Sequence, residues 1–323
     1  MVDEEPADIH IPDNYIEHTL KNSKPLPPIT WKNWWKELNY LSVAILTISP
    51  SIALYGALTT KLRWETAAFA TFYYFFTGLG LYLGTNMILA SHFLSLGVTA
   101  GYHRLWSHRS YNASMPLQVF LALAGAGAAQ GSIRWWARGH RAHHRYIDTD
   151  LDPYDANRGF WWCHVGWMLV KPRRRPGVAD VSDLSRSAIV RWQQRWYVPL
   201  ILLVGVAIPT AIPGYLWGDW RGGTVFAGAM RMCAVHHSIF ALNSLAHWLG
   251  EAPFDDRHSP RDHLVTALVT FGEGYHNFHH QFPTDYRNAI RWYQYDPTKW
   301  FISGCAKIGL ASHLKVGGPR LSG

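Results

Sequence analysis

Nine histidines of this 323-residue chain fall into a spaced pattern: His103 and His108, then His140, His143 and His144, then a lone His247, then His276, His279 and His280. No aspartate or glutamate sits inside these clusters, so a site built from them is nitrogen-rich. On a helix, positions i, i+3 and i+4 share one face, which aims each His-x-x-His-His word at one volume. Neutral imidazole suits iron, zinc, copper and nickel, whereas magnesium and calcium prefer oxygen. A structural zinc takes four ligands and a catalytic zinc three plus water, so nine imidazoles imply two ions. A lone histidine is most often a surface or satisfied core residue; two triplets and a pair in one chain read as a metal pair doing redox work. Asn243 and His247 are four apart near the end of an apolar segment, where strongly polar groups are functional by default.

The elements that must position these residues are apolar helices. Spans are expected at about 40–60, 66–100, 196–216 and 225–248, each long enough to cross a bilayer core. The second is too long for a simple span and should project outward, delivering His103 and His108. Pro50, Pro209 and Pro213 fall in or near spans, where membrane helices tolerate them. Trp31, Trp34, Trp35 and Leu38 recur at helical spacing with Lys32 and Lys36 between them, the pattern of an amphipathic helix lying on a bilayer surface. The 17 Trp and 16 Tyr fit a protein with aromatic residues at membrane interfaces.

Basic residues concentrate between the second and third spans, at Arg134, Arg138, Arg141, Arg145, Lys171, Arg173, Arg174 and Arg175. By the positive-inside rule that loop and both termini are cytosolic. The net charge of +8 invites anionic lipid, an anionic substrate or an acidic protein; no nucleic-acid motif accompanies it. Cys163, Cys233 and Cys305 are odd in number and unpaired in spacing, against a disulfide framework. The first 30 residues lack a signal-peptide pattern and are expected to be disordered. The expected fold is an all-α membrane protein: four transmembrane helices in two hairpins, capped by a cytosolic helical domain made from 101–195 and 251–320, the whole of 31–320 forming one domain.

The words Gly101-Tyr-His-Arg-Leu-Trp-Ser-His-Arg-Ser110, Gly139-His-Arg-Ala-His-His-Arg145, Asp152-Pro-Tyr154, His164-Val-Gly-Trp167, Asn243-Ser-Leu-Ala-His247 and Gly272-Glu-Gly-Tyr-His-Asn-Phe-His-His280 resemble the membrane fatty acyl-CoA desaturases. The likeness is to their Δ9 (stearoyl-CoA desaturase-like) branch, and it runs from Trp35 to about Leu314. The segments Gln281 to Ile290 and Trp292 to Thr298 look most like fungal members. The resemblance implies a di-iron enzyme of the endoplasmic reticulum membrane that uses O2 and two electrons to place a cis double bond in a saturated C16/C18 acyl-CoA. It implies His103, His108, His140, His143, His144, His247, His276, His279 and His280 as iron ligands, with Asn243 reaching one iron through water. Redox-inert zinc cannot supply the oxidant, although it can displace iron during preparation. Several ligands are expected to donate their second ring nitrogen to carboxylates, for which Asp148, Asp150, Asp152, Glu273 and Asp285 are candidates.

For the substrate, the resemblance implies a bent apolar tunnel with Gln130 and Trp136 at its kink and Arg138 and Lys171 near the CoA. Ser91 and Ser95 stand where bulk limits chain length. Gly131 and Gly139 replace polar residues of the animal enzymes, and Ile239 stands where a threonine would help fix the kink. Many fungal members carry a cytochrome b5 domain with a His-Pro-Gly-Gly motif. That motif is not found in this sequence, so no cytochrome b5 domain is expected in it; either electrons arrive from a separate cytochrome b5 and its reductase, or a donor domain has been lost. Two alternatives share the histidines: a membrane di-iron hydroxylase or monooxygenase, and a non-catalytic membrane metal-binding protein. The Asn243 to His247 word favours desaturation over the first. Against the second, transporter sites lie near the bilayer midplane, whereas these clusters lie beyond the spans.

Overall fold

The computed structural model describes Lys21 and residues 26–77 and 97–318. Residues 26–30 carry no regular secondary structure, and the Leu26 amide donates to Arg173 O at 2.8 Å; apart from these and Lys21, the expected N-terminal segment lies outside the described residues. Of the expected surface helix, one tight turn forms, Trp34–Glu37. The chain leaves helical geometry there because its backbone pairs with a distant strand-like segment: Asn39 N donates to Leu169 O, Lys171 N to Glu37 O, and Leu38 bridges Val170. The tryptophans stay exposed, Trp31 almost completely, as an interfacial anchor requires.

Helix α1, Tyr40–Thr59, is long and apolar enough to cross a membrane. Its outer face shows Leu41, Ile45, Ile48 and Ile52, a surface only lipid would cover cheaply. Helix α2, Trp64–Thr77, starts the second expected span; its continuation, with Ser91 and Ser95, lies outside the described residues. Helix α3, Gly97–Ser107, is wide-turned, and the next amide continues the i to i+5 pattern, His108 N donating to His103 O at 3.1 Å. Helix α4, Met115–Gly127, has Pro116 in its first turn, where a missing N–H costs nothing. Helix α5, Ile133–Tyr146, is capped by Ser132, whose side chain accepts from Trp135 N. Helix α6 is Ala188–Arg195.

The second hairpin consists of α7, Tyr197–Trp217, and α8, Trp220–His247, both apolar enough to span. Gly218, at φ +75°, turns between them in a backbone state that suits glycine. A wide stretch, Ile201–Ala207, precedes Pro209 in α7, as expected where proline removes a donor from the ladder. The hairpin turns meet: Arg63 donates to Trp217 O at 2.7 Å and Trp217 Nε1 to Thr66 at 2.8 Å, while Thr66 also bonds Asp219. Among the described residues three helices are long and apolar enough to cross a membrane. Beyond them lie short helices α9, Leu264–Val269, α10, His276–Gln281, and α11, Pro297–Lys307. A two-residue antiparallel pair, β1 (Asn112–Ala113) with β2 (Ala311–Ser312), closes the cap, Asn112 facing Ser312. The three cysteines are unpaired.

Candidate metal centre

The wide turns of α3 explain the four-residue gap in the first histidine pair. In an α-helix residues five apart point about 140° away from each other; widening the turn brings them back toward one face. His103 and His108 thus stand with ring centroids 4.9 Å apart. Helix α5 supplies His140, His143 and His144, and α10 supplies His276, His279 and His280, each triplet facing inward as its spacing predicts. His247 ends α8, and Asn243, half-buried, lies one turn earlier on the same helix.

The nine rings separate into two groups. His103, His108, His140, His144 and His279 form one, and His143, His247, His276 and His280 the other, the potential ligand atoms of each lying within 4.8 Å of one another. In the first group the Nε2 atoms face each other directly: His103 and His279 at 2.9 Å, His108 and His140 at 2.8 Å, His140 and His144 at 3.1 Å, His144 and His279 at 3.0 Å. In the second, His276 and His280 Nε2 are 3.1 Å apart. The groups adjoin, with the His144 and His280 rings stacked at 4.0 Å.

Burial first, and neighbouring imidazoles second, hold His108, His140, His144, His276, His279 and His280 far below the ordinary histidine range. These rings are neutral near pH 7, so their lone pairs are free to bind a cation. Nε2 of His143 and of His247 is buried without a hydrogen-bond partner, an unfavourable state that a bound ion relieves. The donor set fits two imidazole-favouring metals, one with five nitrogen donors and one with four.

Outward contacts fix the rings. His103 Nδ1 lies 2.7 Å from Glu273 Oε2, His143 Nδ1 lies 2.9 Å from Asp152, and His247 Nδ1 lies 2.7 Å from Ser259 Oγ. Ser259 in turn donates through Oγ to Asp148 at 2.5 Å and through its amide at 2.7 Å. Three of the five expected carboxylates therefore serve the histidines, one of them at second hand. Asp285 does not: it accepts from Arg287, Gly317 and Gly318. Nor does Asp150, which faces solvent beside Arg174.

Sequence reading missed the buried hub behind Glu273. Arg104, 1% exposed, donates to Glu273 at 2.6 Å, to both Asp296 oxygens at 2.9 and 3.0 Å and to Tyr286 O at 2.8 Å. Asn288 Nδ2 donates to the other Glu273 oxygen at 2.6 Å. Burial alone would raise the Glu273 carboxyl, but Arg104 and then His103 outweigh it and hold it at about 2. Arg104 sits inside the first histidine word, where its neighbours drew the attention; its buried charge partners are 169 and 192 positions away, and no local pattern reveals them.

Against the first group lies a small cavity of about 20 Å³ lined by Val98, Thr99, His103, Trp136, Ser238, Ile239, Leu242, Thr270 and Glu273. Its polar lining groups are engaged elsewhere: Ser238 with Tyr74 at 2.8 Å, Thr270 with Thr266 O at 2.7 Å, Thr99 with Thr298 at 2.8 Å, Glu273 with Arg104. The wall is thus apolar beside the first histidine group. Trp136 also stacks on His140 at 4.9 Å. Trp136 and Ile239 both line this cavity. Gln130 sits in the turn between α4 and α5, outside the cavity lining. Arg138 is exposed on α5, and exposed Lys171 donates its Nζ to Lys36 O at 2.8 Å.

Comparison with known proteins agrees with this architecture. The family model described as fatty acid desaturase matches residues 77–311. A probable acyl-CoA desaturase of Schizosaccharomyces pombe is 50% identical over 290 residues, covering 90% of this chain and 57% of the relative. Acyl-CoA desaturase 1 of Saccharomyces cerevisiae is 48% identical over 291 residues, covering 89% and 54%. Human stearoyl-CoA desaturase is 37% identical over 315 residues, covering 94% and 80%. The chain spans little more than half the length of the two yeast relatives. With the family match running from the end of α2 through all nine histidines to β2, this chain belongs to the fatty acid desaturase family.

Proposed function

We propose that this chain is the catalytic unit of an acyl-CoA Δ9-desaturase that converts a saturated C16/C18 acyl-CoA to its cis-alkene. The observation that carries the reading is the apolar cavity walled on one side by His103 and Glu273, beside two groups of inward-facing neutral imidazoles. A methylene chain needs such a wall, and a redox metal pair is what its unactivated C–H bonds require. Two irons are the proposed occupants, the first held by His103, His108, His140, His144 and His279, the second by His143, His247, His276 and His280 with Asn243 through water. Bound there, they would supply the O2-dependent oxidising power that zinc cannot. In balance, the acyl chain loses two hydrogens from adjacent carbons while O2, two electrons and two protons complete two waters.

The chain's own residues do the rest. Glu273 and Asp152 orient His103 and His143 so that Nδ1 faces the carboxylate and Nε2 the metal, which fixes tautomer and raises basicity. Ser259, held by Asp148, does the same for His247. Trp136, stacked on His140, and Ile239 shape the wall that seats the acyl chain. The spent hydroxyls of Ser238, Thr270 and Thr99 keep that wall from holding water, so the reacting methylenes meet a dry site. Exposed Arg138 and Lys171 suit the phosphates of CoA, one by its fork of donors and the other as a point charge. Cytochrome b5 with its reductase is the proposed electron source, and exposed Arg134, Arg138, Arg191 and Arg195 favour an acidic donor. The endoplasmic reticulum membrane, with the centre on the cytosolic side, is the proposed location.

The test is mass-spectrometric analysis of acyl-CoA products, with cytochrome b5, its reductase and an iron-to-protein ratio. An alkene at carbons 9 and 10 with about two irons is expected. A hydroxylated chain would assign the chain to oxygen insertion, and metal binding without turnover would remove the enzyme reading.

A further inference from the structure

A positive charge sits near the middle of α8: Arg231 is 3% exposed within the apolar Trp220–His247 helix. Charges at such positions are costly and mark function by default. Its guanidinium donates to Ala227 O of its own helix at 2.8 Å, to Gly127 O of α4 at 3.0 Å and to Gly205 O of α7 at 2.9 Å. It also stands 5.3 Å from the Tyr73 ring of α2. One cation therefore ties four helices together at the point where α4 ends.

After Gly127 the chain enters a turn packed against the middle of a span. Ala129 and Gly131 take φ of +54° and +101°, and non-helical backbone beside a span persists only where protein satisfies it. His236, also on α8, bonds Ala129 O through Nε2 at 3.3 Å, Gly131 N donates to Tyr197 OH at 2.5 Å, and Ile133 N to Gln193 Oε1 at 3.1 Å. A Cβ at Gly131 would strike the Trp135 ring. The turn so held opens α5, which carries Trp136 and three of the nine histidines.

We propose that Arg231 and His236 are positioning residues that determine where on the acyl chain the double bond falls. By holding the 127–133 turn they set the height of Trp136 against the metal ligands, and hence which methylene pair lies beside the centre. This role rests on the chain being a desaturase. A displacement of about 1 Å at a reacting centre can cost on the order of 100-fold in rate, so a small shift of the turn suffices to let a neighbouring carbon pair compete.

The experiment compares wild type, Arg231→Lys, His236→Phe and His236→Gln as full chains, reading double-bond position, iron-to-protein ratio and melting temperature. The expected result is wild-type iron content with a displaced positional isomer at about a tenth of product or more in Arg231→Lys and His236→Phe. His236→Gln, whose amide can donate to Ala129 O, should restore the single isomer. Where Arg231→Lys fails to fold or load iron, the two His236 variants decide. Unchanged isomer ratios with only a lowered melting temperature would overturn the positioning role and leave the desaturase reading intact. A wild type that makes no alkene would overturn that reading itself.

Discussion

His103 Nδ1 and Glu273 Oε2 stand 2.7 Å apart, both almost wholly buried, and this contact joins the candidate metal centre to the rest of the cap. Glu273 faces the cavity and His103 on one side and Arg104 and Asn288 on the other. Arg104 continues to Asp296, which caps α11 by accepting from Lys299 N. A candidate ligand on α3, the glutamate that precedes α10 and the start of α11 thus share one charge system. Removing one partner of such a buried set leaves the others unpaired, which is strongly destabilising.

The first prediction concerns that glutamate. Glu273→Gln keeps the shape but removes the charge that balances Arg104 and orients His103. Metal affinity of the first group should fall about 10- to 100-fold, read by competition against a chelator, together with a lower melting temperature of the metal-free protein. Affinity equal to wild type would show that His103 is oriented by its helix alone.

Ser259 serves only the second group. Ser259→Ala breaks the link from Asp148 to His247, so one metal should be lost at chelator concentrations that leave the other bound, a shift of about 10-fold or more in one of two affinities. Asp148→Asn should act in the same direction. Equal loss of both metals would mean that the groups behave as one unit.

How much of this was legible in the chain differs by residue. The triplets at His140 and His276 announce their faces because their spacing is the period of an α-helix, and all six point inward. His103 and His108 do not fit that period; their convergence depends on wide turns in α3 that no local residue pattern declares. The division into five and four was equally hidden, since His143 joins a different group from its neighbours His140 and His144, a matter of which side of α5 faces which partner. Asp152 and Glu273 could be named as candidates but not ranked against Asp285, because hydrogen bonds between side chains far apart in sequence are fixed by packing. Ser259 gave no signal at all: a serine in a polar loop has many local uses. Three of the four expected spans, by contrast, coincide with helices long and apolar enough to cross a membrane, α1, α7 and α8, with α8 starting at Trp220 before the expected position, because such length and composition are local properties of the chain.

A third prediction concerns pH. Asp183 accepts from Arg141 at 2.8 Å and from Arg109 at 2.9 Å, while Arg141 also donates to Trp106 O and Ser107 O, clamping α3 to α5. Burial alone would raise the Asp183 carboxyl; Arg141 and then Arg109 outweigh it and hold it at about 2. A folded pKa below the unfolded value of about 3.9 stabilises fully above the unfolded value and is lost as pH falls toward the folded one. Asp183→Asn should therefore lower the melting temperature at pH 6, and the gap to wild type should close between about pH 4 and pH 2. A gap that stays constant across that range would assign the effect to hydrogen bonding without charge.

The last prediction tests the cavity wall. Ile239 and Trp136 face the same space, and the neighbouring hydroxyl of Ser238 is turned away toward Tyr74, so the wall beside the first histidine group offers the proposed acyl substrate shape and no hydrogen bond. Ile239→Thr keeps the branching while adding one hydroxyl, which can bond the backbone of its own helix or a polar group across the cavity. A hydrogen bond is worth about 1 kcal/mol, equivalent to roughly a fivefold change in a ratio of products. The variant should hold metal as wild type does, because residue 239 belongs to neither histidine group, while the ratio of positional isomers shifts by about that factor. Product analysis at matched turnover reads the ratio directly. If it is unchanged, the bend of the acyl chain is set by Trp136 and the turn beneath it, and position 239 contributes bulk alone.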